Sequence, residues 1–280
     1  MHLGAHSMMF TPAFAEKDLP LLDKVAKMGF DRVEIQLNAP STLPSTKSLK
    51  EKLEKAGLQP ITGVTLTEEQ DLISSDKEVR QTGVEFLKDM SDLAKQLGSE
   101  VIGGVNYAAW GKFSGRARTD EEWHRCKESL KEVAQYAQTR DVKIALEPIN
   151  RFETYFLNTA EDARRLVEEI DEPNVGIHLD TFHMNIEEKN FHDPIITAGD
   201  KLYHFHICEN DRGVPGTGHV DWEATFKALK EIDYREAVVV ESFVPEIEEV
   251  ATQTAIWREI APSADAILEG AKNVFEKYTG

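Results

Sequence analysis

Cysteine is scarce in this chain. Cys126 and Cys208 are the only two in 280 residues, too few for a disulfide scaffold and in keeping with a reducing compartment. No stretch approaches the roughly 20 apolar residues that a membrane span requires. Positive charge is in deficit: 32 lysines and arginines stand against 50 acidic residues, for a formal charge of −18. Phosphate backbones and anionic lipid call for a basic footprint, so that balance argues against nucleic acid and membrane partners and, more weakly, against phosphorylated substrates. The first ten residues, MHLGAHSMMF, lack the basic start and apolar core of a signal peptide, and a cytoplasmic location is expected. There is no Pro/Gly/Ser-rich linker, composition break or low-complexity segment, so residues 1–280 are expected to form one domain.

What is present is a regular alternation of strand-like and helix-like runs. The strand candidates are HLGAHS (2–7), RVEIQL (32–37), ITGVTL (61–66), VIGGVN (101–106), KIALEP, NVGIHLD, KLYHFHI and EAVVVES. Helical patterns lie between them. One runs through EKDLPLLDKVAKMGF, and a second, STKSLKEKLEKAG, stops at Gly57. A third spans about Asp76 to Gly98, with Ser75 as its cap and Glu78 three residues on. A fourth runs from Thr119, a capping-box start, to about Thr139. Further helices are expected after Asn158, weakly around His192–Gly199, after Val220 and from about Thr254 to the end. Strands alternating with helices imply parallel pairing through right-handed crossovers, and eight near-continuously apolar strands point to a closed (β/α)8 barrel. Its usual size, about 250 residues, suits this length. The loops after strands one and six read as long enough to form lids.

Four of the strand candidates end in a side chain suited to a divalent cation: Glu147, Asp180, His206 and Glu241. Strand side chains alternate between faces, so these four can converge at the C-terminal rim of a barrel, where such folds carry their chemistry. Three carboxylates and one imidazole suit a fairly hard ion such as Mn²⁺, Co²⁺ or Mg²⁺ better than structural zinc. Without a cation, three crowded carboxylates would raise one another's pKa. Glu153, His183 and Arg212 lie on the following loops and are candidates for contact with substrate. His6, near the end of strand one, and Trp110, after strand four, are further pocket candidates. His178 and His204 face inward one layer below. Glu34 reads as one member of a buried ion pair, GVPGTGHVDW as a tight turn before a helix capped near Asp221, and nothing marks Cys208 as an activated thiol.

The segments ALEPINRFETYFLNTAEDA, VGIHLDTFHMNIEE, HFHICENDRGVPGTGHVDW and VVVESF, together with VEFLKDM and VIGGVNYAAWG, resemble the D-tagatose 3-epimerase family. That family includes the D-psicose (D-allulose) and L-ribulose 3-epimerases. The resemblance implies a xylose-isomerase-like barrel acting on free ketoses, with one Mn²⁺, Co²⁺ or Mg²⁺ held by Glu147, Asp180, His206 and Glu241. It also implies substrate contacts from Glu153, His183 and Arg212 and a homodimer or homotetramer. The first half departs: HSMMFTPAF stands where relatives carry aromatics around the distal end of the sugar, and YAAWG keeps its tryptophan but has two alanines beside it. The chemistry expected is C3 epimerisation through a cis-enediolate, with Glu147 and Glu241 exchanging the proton and the cation acting as a Lewis acid. An aldose–ketose or hydroxypyruvate-type isomerase on the same barrel is the alternative. For an acidic substrate, only Arg212 and Arg151 are placed to help. A multi-zinc endonuclease would want more histidine ligands and a basic face, and a silent sugar-binding protein would have no reason to keep the four ligands.

Overall fold

A computed structural model describes residues 1–280. Eight strands form the inner wall: β1 (His2–His6), β2 (Arg32–Gln36), β3 (Gln59–Thr65), β4 (Val101–Val105), β5 (Lys143–Leu146), β6 (Val175–Asp180), β7 (Leu202–Ile207) and β8 (Ala237–Val240). Every neighbouring pair is parallel, and β1 pairs with β8 to close the barrel. Outside lie α1 (Leu19–Lys27), α2 (Thr46–Ala56), α3 (Lys77–Leu97), α4 (Asp120–Gln138) and α5 (Ala160–Ile170). These are followed by α6 (Thr181–Glu187), α7 (Asp193–Ala198), α8 (Trp222–Glu231), α9 (Glu248–Gln253) and α10 (Ala264–Thr279). No helix is long and apolar enough to cross a membrane.

Strand periodicity divides the apolar residues between two places. Ile35, Ile102, Ile144, Ile177 and Phe205 point outward and are fully buried against helix residues such as Leu49, Leu87, Leu130, Leu166 and Phe226. Val239 shares a face with Glu241 and points inward. With Ile61 and Ala237 it makes a small separate apolar cluster that fills the barrel below its polar layers.

Local chemistry explains the helix starts. Thr119 accepts the Glu122 amide at 3.2 Å while the Glu122 carboxylate accepts the Thr119 amide at 2.7 Å, closing the expected capping box. Asp221 caps α8 by accepting the Ala224 amide at 2.9 Å. Three expectations are corrected. The cap of α3 is Asp76, which accepts the Glu78 amide at 2.8 Å, rather than Ser75. The final helix starts at Ala264, not near Thr254: Ala255 adopts a left-handed φ of 58°, Pro262 interrupts the pattern, and Ser263 supplies the N-cap. The segment after β6 is no open lid either. Asp180 closes the strand and at once caps α6, accepting the Phe182 amide at 2.8 Å. After β1, residues 7–18 do form a long loop, built on two short 3₁₀ turns.

Candidate active site

The C-terminal ends of the strands open into a cavity of about 490 Å³. His6, Trp110, Glu147, Glu153, His183, His206, Arg212 and Glu241, every one a residue singled out in the sequence, line it. Asp180 lies fully buried beside them. Glu147 and Glu241 each stand one residue beyond their strands, β5 and β8, which are three strands apart around the wall. Donor atoms of Glu147, Asp180 and His206 lie within 4.8 Å of one another. Glu241 stands at the margin of that group, with Oε2 3.7 Å from His206 Nδ1.

The orientation of His206 is decided from across the barrel. Glu34, on β2, is buried, and its Oε2 accepts from His204 Nε2 at 2.6 Å and His206 Nε2 at 2.8 Å. The expected buried ion pair is therefore a carboxylate shared by two imidazoles, with His6 Nε2 3.7 Å from its other oxygen. Burial alone would raise the Glu34 carboxyl, but His204, His206 and His6 together hold it well below the usual range. Because Nε2 of His206 carries the proton given to Glu34, its Nδ1 is left as a buried nitrogen without a partner. That nitrogen faces the carboxylate group. This fits a cation site: although burial opposes it, Glu34 and Glu241 hold the proton affinity of this ring well above the ordinary imidazole range, and with a cation in place of that proton Nδ1 would be a donor oriented by the carboxylate behind it, beside hard oxygen donors.

Two glycines make room for this layer. A Cβ on Gly63 would lie 2.6 Å from Gln36 Oε1 and 2.7 Å from Glu34 Oε1, and one on Gly103 would meet His204 and His178 at 3.0 and 3.1 Å. Bare backbone on β3 and β4 lets side chains from β2, β6 and β7 occupy the interior. His178, one layer below the carboxylates as expected, accepts the Gly104 amide on Nδ1 at 3.2 Å and lies 3.5 Å from Glu147.

Arg212 supplies the positive charge. Its Nη1 donates to Asp180 Oδ2 at 3.0 Å and to Glu241 Oε2 at 2.7 Å, and its guanidinium packs between the rings of Phe182 and Phe243. The residue is held in the left-handed region at φ 63°, with Ser242 Oγ donating to its carbonyl. Glu209 is fully buried and accepts the amides of Gly216 at 2.8 Å and Val220 at 3.1 Å, which anchors the loop that presents Arg212. The charges polarise the two glutamates in opposite directions. Burial, reinforced by Glu241 and Asp180, pushes the Glu147 carboxyl well above its ordinary range. Burial is outweighed at Glu241 by Arg212, His206 and His6, which hold it well below.

The remaining side chains form a braced wall. Glu153 accepts from Trp110 Nε1 at 2.9 Å and from Asn150 Nδ2 at 2.7 Å. The backbone amide of Asn150 donates to His183 Nδ1, which leaves Nε2 of that ring facing Glu147 and Asp180 at 3.7 and 3.9 Å. Arg151 is not part of the site: it is exposed and paired with Glu187. Burial pushes both thiols up, so neither Cys126 nor Cys208 is set to act as a nucleophile. Asn150, Phe182 and Phe243 were not singled out in the sequence. Asn150 lies in the same EPINRFE loop as Glu153, the one signal that could have found it.

The xylose isomerase-like TIM barrel family matches residues 22–270. The D-psicose 3-epimerase of Enterocloster bolteae is 35% identical over 284 residues, covering 99% of this chain and 94% of that protein. The L-ribulose 3-epimerase of Methylomonas sp. is 34% identical over 86% of this chain and 84% of its own length. Among solved structures, D-allulose 3-epimerase from Methylomonas sp. in complex with D-allulose superposes with a TM-score of 0.94 at 30% identity, covering 99% of this chain and 97% of that one. The chain therefore belongs to the xylose isomerase-like TIM barrel family, and within it stands with the ketose 3-epimerases.

Proposed function

We propose that this protein epimerises free ketoses at C3, and that it does so with one divalent cation held by Glu147, Asp180, His206 and Glu241. The observation that carries the reading is the pair Glu147 and Glu241: one buried and one part-buried carboxylate, each just beyond its strand on strands three apart, facing one cavity. Two carboxylates that face one space from separate parts of the barrel wall are placed to act as base and acid on one substrate. The relatives are D-psicose, L-ribulose and ketose 3-epimerases.

The C3 proton of a 2-ketose is acidic because the neighbouring carbonyl accepts the electron pair. One glutamate removes that proton, the C–H pair moves into the C2–C3 bond, and the carbonyl π pair moves onto O2 to give a cis-enediolate. The other glutamate then returns a proton to the opposite face of C3, and the carbonyl re-forms. The roles of Glu147 and Glu241 exchange with the direction of reaction. A bound divalent cation, Mn²⁺ with Co²⁺ or Mg²⁺ as substitutes, supplies Lewis-acid stabilisation of the developing negative charge. Arg212 and the Nε2–H of His183 provide donors for the oxygens at C1 and C2, and Glu153 accepts from a substrate hydroxyl. Trp110 and His6 border the space the sugar occupies.

An isomerase of small keto acids is the less favoured reading. It would need a cation with uncompensated charge for the substrate carboxylate, whereas the charge of Arg212, though it keeps donors for neutral oxygens, is balanced by Asp180 and Glu241, and that of Arg151 by Glu187. The test is product identity. Chelated protein given Mn²⁺ and D-fructose, D-tagatose or L-ribulose should yield the C3 epimer of at least one ketose, and no activity without added cation. An aldose product would move the assignment to isomerisation.

A further inference from the structure

The cavity is larger than a free sugar requires, and polar side chains form part of its lining away from the reacting glutamates. At close-packed density a twelve-heavy-atom hexose fills on the order of 200 Å³, less than half of the roughly 490 Å³ of this cavity, which opens to solvent at the barrel mouth. The reacting carbons belong beside Glu147, Arg212 and Glu241, on the β5–β8 side. The remaining space lies against the ends of β2 and β3 and is lined by Gln36, Asn38, Thr65 and Thr67.

These residues form a preset hydrogen-bonding shelf. The Gln36 amide reaches over Gly63, and its Nε2 donates to Asn38 Oδ1 and to Thr65 Oγ1, both at 3.1 Å. Asn38 Oδ1 also accepts the Thr65 amide at 2.8 Å. That arrangement fixes all three side chains and leaves Gln36 Oε1, the Asn38 amide N–H groups and the Thr65 hydroxyl proton uncommitted. Neutral donors and acceptors held in fixed positions are the chemistry that reads sugar hydroxyls. Glu68 and Glu69 stand at the mouth of the same shelf, where they disfavour a phosphate or carboxylate in the ligand.

We propose that this shelf is a second sugar subsite, and that the preferred substrates are ketoses carrying an uncharged glycosyl group on the hydroxyl farthest from the reacting carbons. The proposal rests on the C3-epimerase reading above and extends it. A ketose with its C1–C3 end at Glu147 and Glu241 directs O6 toward β2 and β3, where a glycosyl substituent meets Gln36, Asn38 and Thr65.

The test compares kcat/KM for D-fructose, 6-O-α-D-glucosyl-D-fructose and D-fructose 6-phosphate in the Mn²⁺-loaded protein, and repeats it in Asn38→Ala. Asn38 is exposed, so the substitution leaves the core untouched. The glucosylated ketose is expected to exceed D-fructose by tenfold or more, and the phosphate to fall below it. In Asn38→Ala the ratio of glucosylated to free ketose should drop at least fivefold. A ratio of one or less, or a ratio that Asn38→Ala leaves unmoved, overturns the subsite while free-ketose turnover keeps the C3-epimerase reading intact. Failure of every ketose to react would overturn both.

Discussion

Glu34 Oε2 accepts the Nε2–H of His206 at 2.8 Å, and this bond turns the other nitrogen of that ring toward Glu147, Asp180 and Glu241. A carboxylate on β2 thus decides which atom a histidine on β7 offers across the barrel. Carboxylates that orient a ligating histidine commonly account for 10–100-fold in metal affinity. Glu34→Gln is expected to weaken Mn²⁺ binding about tenfold by calorimetry, with the barrel still folded by circular dichroism. Unchanged affinity would remove Glu34 from any role in orienting His206.

Glu153 is held by two donors, one of them Trp110 Nε1. A hydrogen bond to a charged acceptor contributes about 1.5–3 kcal/mol. Trp110→Phe keeps the ring against the cavity but removes that bond, so KM for a ketose should rise about tenfold while kcat falls less than threefold. A loss confined to kcat would place Trp110 in the chemical step and not in positioning Glu153.

The capping box of α4 gives a stability prediction with a defined sign. Burial would raise the Glu122 carboxyl, but Arg116, the Thr119 amide and Tyr155 lower it from 4.5 to about 2. A depressed folded-state pKa stabilises the fold above the unfolded value and loses that contribution as pH falls from about 4.5 toward about 2. The urea midpoint of wild type should exceed that of Glu122→Gln at pH 7, and the gap should narrow steadily between pH 5 and pH 3. A gap independent of pH would mean that the ionised form of Glu122 is not what stabilises the helix start.

Much of this site was legible in the sequence because it depends on short-range pattern. Glu147, Asp180, His206 and Glu241 each end a β-rich run, and the two-residue alternation of strands aims all four inward. The capping boxes and the eightfold alternation are local in the same way. What escaped depends on distant partners. Glu34 was expected to be paired, but its partners His204 and His206 are 170 and 172 residues away, and no local signal names them. The shelf of Gln36, Asn38 and Thr65 likewise exists only once β2 and β3 lie side by side. The helix boundary expected near Thr254 failed for the converse reason: an apolar rhythm runs across residues whose backbone, at Ala255 and Pro262, cannot continue a helix.

The most direct test of the central claim is the position of exchanged hydrogen. Mn²⁺-loaded protein would be incubated in D₂O with D-fructose, D-tagatose or L-ribulose, and the sugars read by NMR, alongside Glu147→Gln and Glu241→Gln at saturating Mn²⁺. The account predicts deuterium at C3 together with the C3 epimer, and a loss of turnover of at least about 100-fold in each variant, the usual scale for removing a general acid or base. Deuterium at C1 with an aldose product, or epimerisation that persists in both variants, would contradict it.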